Sequence, residues 1–367
     1  MSTKAVDTYT AQDPVAGDRA LGVTAGGNTR LFNLDAIEAG ETQSQFGTPT
    51  VIIKDTLRAS IEGATGDQMT VLYNGDNTAT YMFIVPKFEL SPFPAEFGGS
   101  VVHPAFIKGG VEKDYFMVGA YQGYTVNGKL VSVPGVDPTV SQDFDVFRSR
   151  AVANGTGHHL MSNWEWSALA LYVMQQIADG NLSAEPRGNT DDGKAHDAHQ
   201  ETGIGRNGAT PGSGDRIITG SGPAGWRHNG QIIGISDFVG NVWEWVDGFK
   251  IVDGAIYMPN DNDYDIAEGS WVDQDATIAN ANPWSSNGVT LGGTANSELL
   301  TQALILPATD TAYHPEGRLY VNASGERVPL RGGSWTNGAS AGLAALTLIS
   351  GRGHSSASVG GRPAFVA

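Results

Sequence analysis

From about Ala20 the chain alternates short apolar runs with polar breaks. Residues 29–37 (TRLFNLDAI), 48–61 (TPTVIIKDTLRASI), 68–73 (QMTVLY) and 78–90 (TATYMFIVPKFEL) carry the β-branched and aromatic content of strands. Asn74, Gly75, Asp76 and Asn77 supply a hairpin turn between the last two. Pro92 and Pro94 then fall within three residues, which neither a helix nor a central strand accepts. A domain boundary is placed there. It separates a small β-rich domain of residues 1–95 from a larger domain of residues 96–367.

Beyond the boundary, HPAFI, YFMVGAYQGYTV and GKLVSVPG predict further short strands. Two helical patterns follow. One starts near Ser141 and places Phe144, Phe147 and Ala151 on one face, with Asn154 and Gly155 as its stop. The other starts at Ser162, where Glu165 completes a capping box and Trp166, Leu169, Ala170 and Val173 recur at helical spacing. Residues 181–225 have almost no apolar period, and so long an irregular stretch inside a domain points to function or ligand stabilisation. Further on, Trp243 and Trp245 share one strand face and Val242 and Glu244 the other, which predicts indoles buried in the core.

Composition narrows the function classes. Lys and Arg number 22 against 39 Asp and Glu, a net charge of −17, which argues against binding nucleic acid or an anionic membrane surface. The absence of cysteine excludes disulfides, thiolate metal sites and cysteine nucleophiles. The 49 glycines, with only 17% charged residues, favour a β- and loop-rich globule over a helical bundle. No 20–50-residue repeat suggests a solenoid or propeller. The first residues lack an apolar core, so no signal peptide is expected, and no apolar run approaches the ~20 residues of a membrane span.

Candidate chemistry is sparse. His196 and His199 lie three apart without the spacing or the glutamate base of a helical zinc motif, so they read as loop histidines. Asp261, Asp263 and Asp265 alternate like a calcium loop. Ile266 and Val272, however, occupy the positions where an EF-hand requires Gly and Glu. A solvated acidic turn is expected there, with an irregular structural calcium site as the alternative; no cofactor and no metal ligand set is assigned. Residues 328–367 are the informative part. They hold three arginines and no acid, and they mix Gly, Ala, Leu and Trp with small polar residues. Alternation around Thr347 predicts Leu346 and Leu348 inward, Thr347 and Ile349 outward.

Those residues carry a resemblance. RGGSW, SAGLAALTL and GGRPAF, with GNVWEW upstream, resemble the variable proteins of diversity-generating retroelements. That likeness spans about residues 99–365, and a stretch near residues 17–34 is similar to phage tail fibres. It implies an α+β fold, with a C-type-lectin-like domain of the formylglycine-generating-enzyme type and a variable region at about residues 328–365. In such families adenine mutagenesis scatters AAC codons over NNC codons. Carried over by position, the implied ligand-binding sites are Ser334, Thr336, Asn337, Ser340, Thr347, Ile349, Ser350, Gly353, His354, Ser356 and Ser358, with Arg352 added. All are encodable by NNC, which chance would produce in about one case in ten. Trp335, Gly342, Leu346, Leu348 and Arg362 fall at scaffold positions. The enzyme branch uses a cysteine pair that this chain lacks, so no enzyme is expected.

The resemblance therefore implies a receptor-binding protein at a phage or prophage tail tip, recognising a protein or glycan on a bacterial surface. Its expected location is the virion, or the bacterial cytoplasm when expressed from a prophage. A weak single site gains from several copies held together, which favours a homotrimer, and the N-terminal domain would attach to other tail proteins or mediate oligomerisation. The rival readings are a non-thiol enzyme of the same superfamily and an inert structural virion component.

Overall fold

Local chemistry sets the elements before packing does. Asn74 accepts at Oδ1 from the backbone of Asp76 (3.0 Å) and Thr78 (3.1 Å), closing the hairpin between Met69–Tyr73 and Ala79–Pro86. The structure is a computed structural model. It describes residues 55–190, 203–206, 215–281, 288–310 and 319–367, together with the backbone of 19–23 and 29–33.

The chain divides into two units, Met1–Ala59 and Ser60–Ala367. In the first, Arg19–Val23 pairs antiparallel with Thr29–Asn33. The strand expected over residues 48–61 is corrected in its second half, because Thr56–Thr65 is an α-helix. Asp55 accepts the Arg58 amide at 2.9 Å as a helix start would, and Gly66 stops the helix at a left-handed φ of 59°. The β-branched run just before it masked these signals.

The second unit is α+β, with three five-stranded sheets. In the first sheet the order is His158–Leu160, Pro363–Phe365, Tyr115–Gly119, Ala79–Pro86 and Met69–Tyr73. The boundary placed at residue 95 is thereby corrected. Strands from before it are hydrogen-bonded to Tyr115–Gly119, in one sheet with the C-terminal strand. Pro92 and Pro94 mark a turn inside the unit, because the partners that made residues 69–86 a sheet lie far along the chain.

The central sheet runs Leu319–Val321, Gly342–Leu348, Leu330–Gly332, Trp243–Trp245 and Val359–Gly361. A third sheet joins Val289–Leu291, Val272–Ile278, Ala255–Met258, Lys250–Val252 and Glu326–Arg327. Both faces of the central sheet are covered. One face lays Leu319, Val321, Leu346 and Leu348 in the core that surrounds helix Asn163–Ala178. The other lays Leu330, Ala345, Trp243 and Trp245 against Phe144 and Phe147 of helix Phe144–Val152.

Both helices start where their caps dictate. Asp143 accepts the Val146 amide at 2.9 Å, and Ser162 and Glu165 form the reciprocal capping box, at 3.1 and 2.9 Å. In the second helix nearly every residue of the first turns is buried, as befits a helix in the middle of a domain. No described helix is long and apolar enough to cross a membrane.

Two histidines make stability depend on pH. His103 and His228 are fully buried, and each accepts a backbone amide at Nδ1, from Ala105 (3.1 Å) and Ile235 (2.9 Å). Burial pushes each pKa from 6.5 down to about 3, with the Arg362 guanidinium adding to the effect at His228. The folded chain keeps both neutral while the unfolded chain protonates them below 6.5. Stability is therefore present above pH 6.5 and falls as pH drops toward 3, by up to about 1.4 kcal/mol per pH unit for each histidine. Asp237 opposes this: burial raises its carboxyl from 3.8 to about 6, so the folded state gains between pH 6 and 3.8. Burial also lowers His158 to about 4 and raises the Asp247 carboxyl, so three histidines oppose two carboxylates. The urea midpoint is expected to fall between pH 7 and 5, and less steeply in His228→Gln; a flat profile would refute this assignment.

Candidate functional site

Glu244 and Arg362 build the site's foundation. They form a fully buried two-pronged ion pair, Nε to Oε2 at 2.9 Å and Nη2 to Oε1 at 2.6 Å. The remaining arginine donors reach the carbonyls of Gly119, Ser236 and Asp237, and Gln122 Nε2 donates to Glu244 at 2.9 Å. The indoles of Trp243 and Trp245 face the opposite side of this strand and are buried, as the alternation predicts.

Arg331 stands opposite Glu244 in register, on the neighbouring strand of the central sheet. Among the described residues it has no ion-pair partner. Instead Asn163 Oδ1 accepts from it at 2.7 and 3.0 Å, and the carbonyls of Ala303, Leu304 and Ala344 accept the rest. Burial lowers its pKa to about 9.

Thr347 lies in strand Gly342–Leu348, and the other implied ligand-binding residues occupy two loops on this platform. The first leaves Leu330–Gly332 and turns before Gly342–Leu348. Gly333 has φ 90°, and an added Cβ would stand 2.4 Å from that of Ala341, so only glycine fits. Ser334 donates to Asn337 Oδ1 from both N (2.8 Å) and Oγ (2.7 Å), and Asn337 N donates back to the Ser334 carbonyl at 3.1 Å. Thr336 is exposed, with Asn337 and Ser340 half-buried. Residues 185–190 brace this loop. Arg187 donates to the Gly338 carbonyl, and Gly338 donates to that of Thr190.

The second loop spans residues 349–358. It starts at the far end of the sheet, where Thr347 pairs with Leu330, and returns to Val359, which pairs with Trp243. The pairing Gly332 with Gly342 puts the first loop at that returning end. Thr336 and Ile349 thus lie beyond opposite ends of strand Gly342–Leu348, and the returning segment passes over the indoles. His354 is exposed and edge-on to Trp245, ring centroids 6.3 Å apart. Gly353 is exposed; Ser356 and Ser358 are half-buried, with hydroxyls 3.0 Å apart.

Three expected surface positions are corrected. Ser334, Thr347 and Ser350 are buried, at 1%, 4% and 7% exposure. The alternation itself holds, since Leu346 and Leu348 face one core and Ala345 the other. What fails is the assumption that the face opposite Leu346 meets water. Ile349, one residue past the strand, is 53% exposed as expected. Trp335, Leu346, Leu348 and Arg362 are all buried, in keeping with their scaffold positions.

Arg352 is neither free nor exposed. Its guanidinium meets Asp145 at 2.7 Å, Glu326 at 3.1 Å and Glu268, and lies 5.0 Å above the Phe144 ring. Burial alone would lower its pKa, but the three carboxylates outweigh it and hold the guanidinium well above its ordinary value. Glu268 extends the network to Arg148 (2.8 Å) and Lys250 (3.1 Å), and Arg148 meets buried Asp247 at 2.7 Å. The sequence offers no signal for this network, whose members are isolated charges as much as two hundred residues apart.

In the acidic turn, Lys108 donates to both oxygens of Asp265 (2.9 and 2.8 Å) and stands 3.7 Å from Asp263. Among the described residues, no group of three or more His, Asp or Glu side chains could hold a metal ion. His196 and His199 lie outside the described residues.

No protein-family model matches the chain, and no curated protein matches it. Several solved structures are similar to it. PvdO from Pseudomonas aeruginosa shares 14% identity over 81% of this chain and 98% of its own, with a TM-score of 0.35. The Major Tropism Determinant U1 variant shares 14% over 96% of this chain and 73% of its own, at 0.33. Treponema denticola variable protein 1 shares 13% over 81% and 98%, at 0.32. A tropism determinant and a variable protein are the kinds of protein that the sequence resemblance names. No residue role is transferred from any of them.

The division between platform and loops predicts opposite stabilities. Leu348→Ala should destabilise by about 2–5 kcal/mol, and Thr336, Ile349 and His354 replaced together by alanine should change little beyond ~0.5 kcal/mol per site. Equal losses of denaturant midpoint would refute the division. Arg362→Met leaves Glu244 buried and unpaired and should cost about 3–5 kcal/mol; an unchanged midpoint would show that the pair is dispensable.

Proposed function

We propose that the chain is a receptor-binding protein that presents a diversified surface, on the two loops at residues 333–341 and 349–358, to the outside of a bacterial host. One observation carries this reading: the loops are held by their main chain. Trp335 N donates to the Asn241 carbonyl (3.1 Å), Phe144 N to that of Arg352 (3.2 Å), Ser141 N to that of Ser356 (3.0 Å) and Trp243 N to that of Ser358 (2.8 Å). Main-chain bonds of this kind persist whatever side chain the residue carries. Thr336, Ile349, Gly353 and His354 can therefore change identity while the platform stays intact.

A surface of small polar residues on ordered backbone recognises ligands adaptably, as antibody loops do. Catalysis needs an acid–base group or nucleophile at a fixed position, which a diversified surface does not keep. In this reading the protein acts by contact alone. It works at a phage or prophage tail tip, where a homotrimer multiplies weak single contacts and the N-terminal unit joins the virion or the other protomers.

The test mixes the purified chain with a panel of bacterial surface preparations, then measures retention and analyses the retained material by mass. Retention should fall about tenfold or more when Thr336, Ile349, Gly353 and His354 are exchanged for other NNC-encoded residues, and another set should redirect it to a different preparation. Ligand recovered with a cleaved or oxidised bond would mean an enzyme. Retention indifferent to all four positions would mean an inert component.

A further inference from the structure

Arg327 is a cation without an acid, in a chain where Asp and Glu number 39 against 22 Lys and Arg. It is half-buried. Its Nε donates to the Asn322 carbonyl (3.3 Å) and its Nη1 to that of Glu326 (3.4 Å), and among the described residues no carboxylate forms an ion pair with it. The nearby acids are engaged elsewhere. The Glu326 carboxylate meets Lys250 (3.3 Å) and Arg352 (3.1 Å), and Asp253 Oδ1 accepts the Gly325 amide at 2.8 Å. A guanidinium has five donors, so most of those on Arg327 are left for a ligand. Arg150 also lacks an acid, but it stands in the last turn of helix Phe144–Val152, where the helix dipole balances a cation, and it donates to Thr125 at 3.2 Å.

The Arg327 guanidinium is held in place. The turn at residues 322–325 supplies its first acceptor, and three amides fix that turn: Ser324 N on Asn322 Oδ1 (3.1 Å), Ala323 N on Asn280 Oδ1 (2.8 Å) and Gly325 N on Asp253 Oδ1. The second loop starts beside it. Asn322 N donates to the Leu348 carbonyl and Val328 N to that of Ser350, both at 3.2 Å. A Cβ added at Gly351 would stand 3.5 Å from Arg327 Nη1. Ile349, between those two carbonyls, is 53% exposed.

We propose that Arg327 takes a carboxylate group of the ligand, at the foot of the second loop beside Ile349 and Gly351. This inference deepens the receptor-binding reading and rests on it. The planar guanidinium offers parallel N–H groups that match the two oxygens of a carboxylate. Two carbonyls already orient it, so little side-chain freedom is lost on binding. Charge selects the monoanion, because a chain of net charge −17 repels a phosphate dianion more strongly than a carboxylate. Arg327 lies just before the region that the family resemblance marks, so this contact stays while Ile349 and Gly353 change.

The experiment titrates the full chain with sodium acetate, sodium phosphate and sodium chloride at equal ionic strength, and follows NMR shifts at Arg327 Nε–H and at the Ile349 and Gly351 amides. Acetate should give saturable shifts at all three in the native chain and none in Arg327→Gln, whose denaturant midpoint should match the native one. Shifts that persist in Arg327→Gln would place the anion elsewhere, and phosphate saturating before acetate would replace the carboxylate. Equal shifts with chloride would reduce the effect to screening, and a lower midpoint in Arg327→Gln would show that the arginine serves the fold. Each of these overturns the proposal. On the bacterial panel, Arg327→Gln should lower retention about tenfold, and added salt should weaken retention of the native chain more than that of the variant. Retention that depends on Thr336, Ile349, Gly353 and His354 but not on Arg327 removes the carboxylate site and leaves the receptor-binding reading standing. Retention indifferent to all five removes the reading itself.

Discussion

The buried pair of Glu244 and Arg362 is the constraint on which the rest of the second unit depends. Two charges taken out of water are expensive unless every donor and acceptor finds a partner. Here the guanidinium reaches Glu244 and three carbonyls, and Gln122 completes the carboxylate. Arg362 sits between strands Val359–Gly361 and Pro363–Phe365, which belong to different sheets. Satisfying it therefore fixes how the first and central sheets meet, and with them the point at which the second loop rejoins the platform.

From that anchor the loops inherit rigidity without depending on their own side chains. The first is held at Asn241 and Thr190, the second along Phe144, Ser141 and Trp243, all through peptide groups. The side chains of Ser334 and Asn337, which close the first loop's turn, and Arg352 with its three carboxylate partners are the exceptions. Arg352 ties the middle of the second loop to the start of helix Phe144–Val152 and to the third sheet. Among the residues that the family resemblance marks, it behaves as support, while Gly353 and His354 beside it face outward.

The candidate set thus separates into four physical kinds, one of them the half-buried Ser340, Ser356 and Ser358. Thr336, Ile349, Gly353 and His354 are exposed. Ser334 is consumed by the turn that it builds with Asn337, and Arg352 by its ion pairs. Thr347 and Ser350 lie below the surface, on either side of the start of the second loop.

Much of the local structure was legible in the sequence. A helix start near Ser141 (found at Asp143), another at Ser162, the hairpin at Asn74, the paired indoles of Trp243 and Trp245 and the inward Leu346 and Leu348 each depend on interactions within a few residues, or on a strand period of two. The family resemblance marked residues 328–365 as a variable region, and the structure divided it into strands and two loops. Only the tertiary structure decided which domain residues 69–86 join, because their partner strand Tyr115–Gly119 lies beyond the expected boundary and pairs in turn with Pro363–Phe365. It also decided that Thr347 is buried and Ile349 is not. Alternation states which residues share a face; whether that face meets water depends on what folds back over it, and here helix Phe144–Val152 and the returning loop cover it from opposite ends of the sequence.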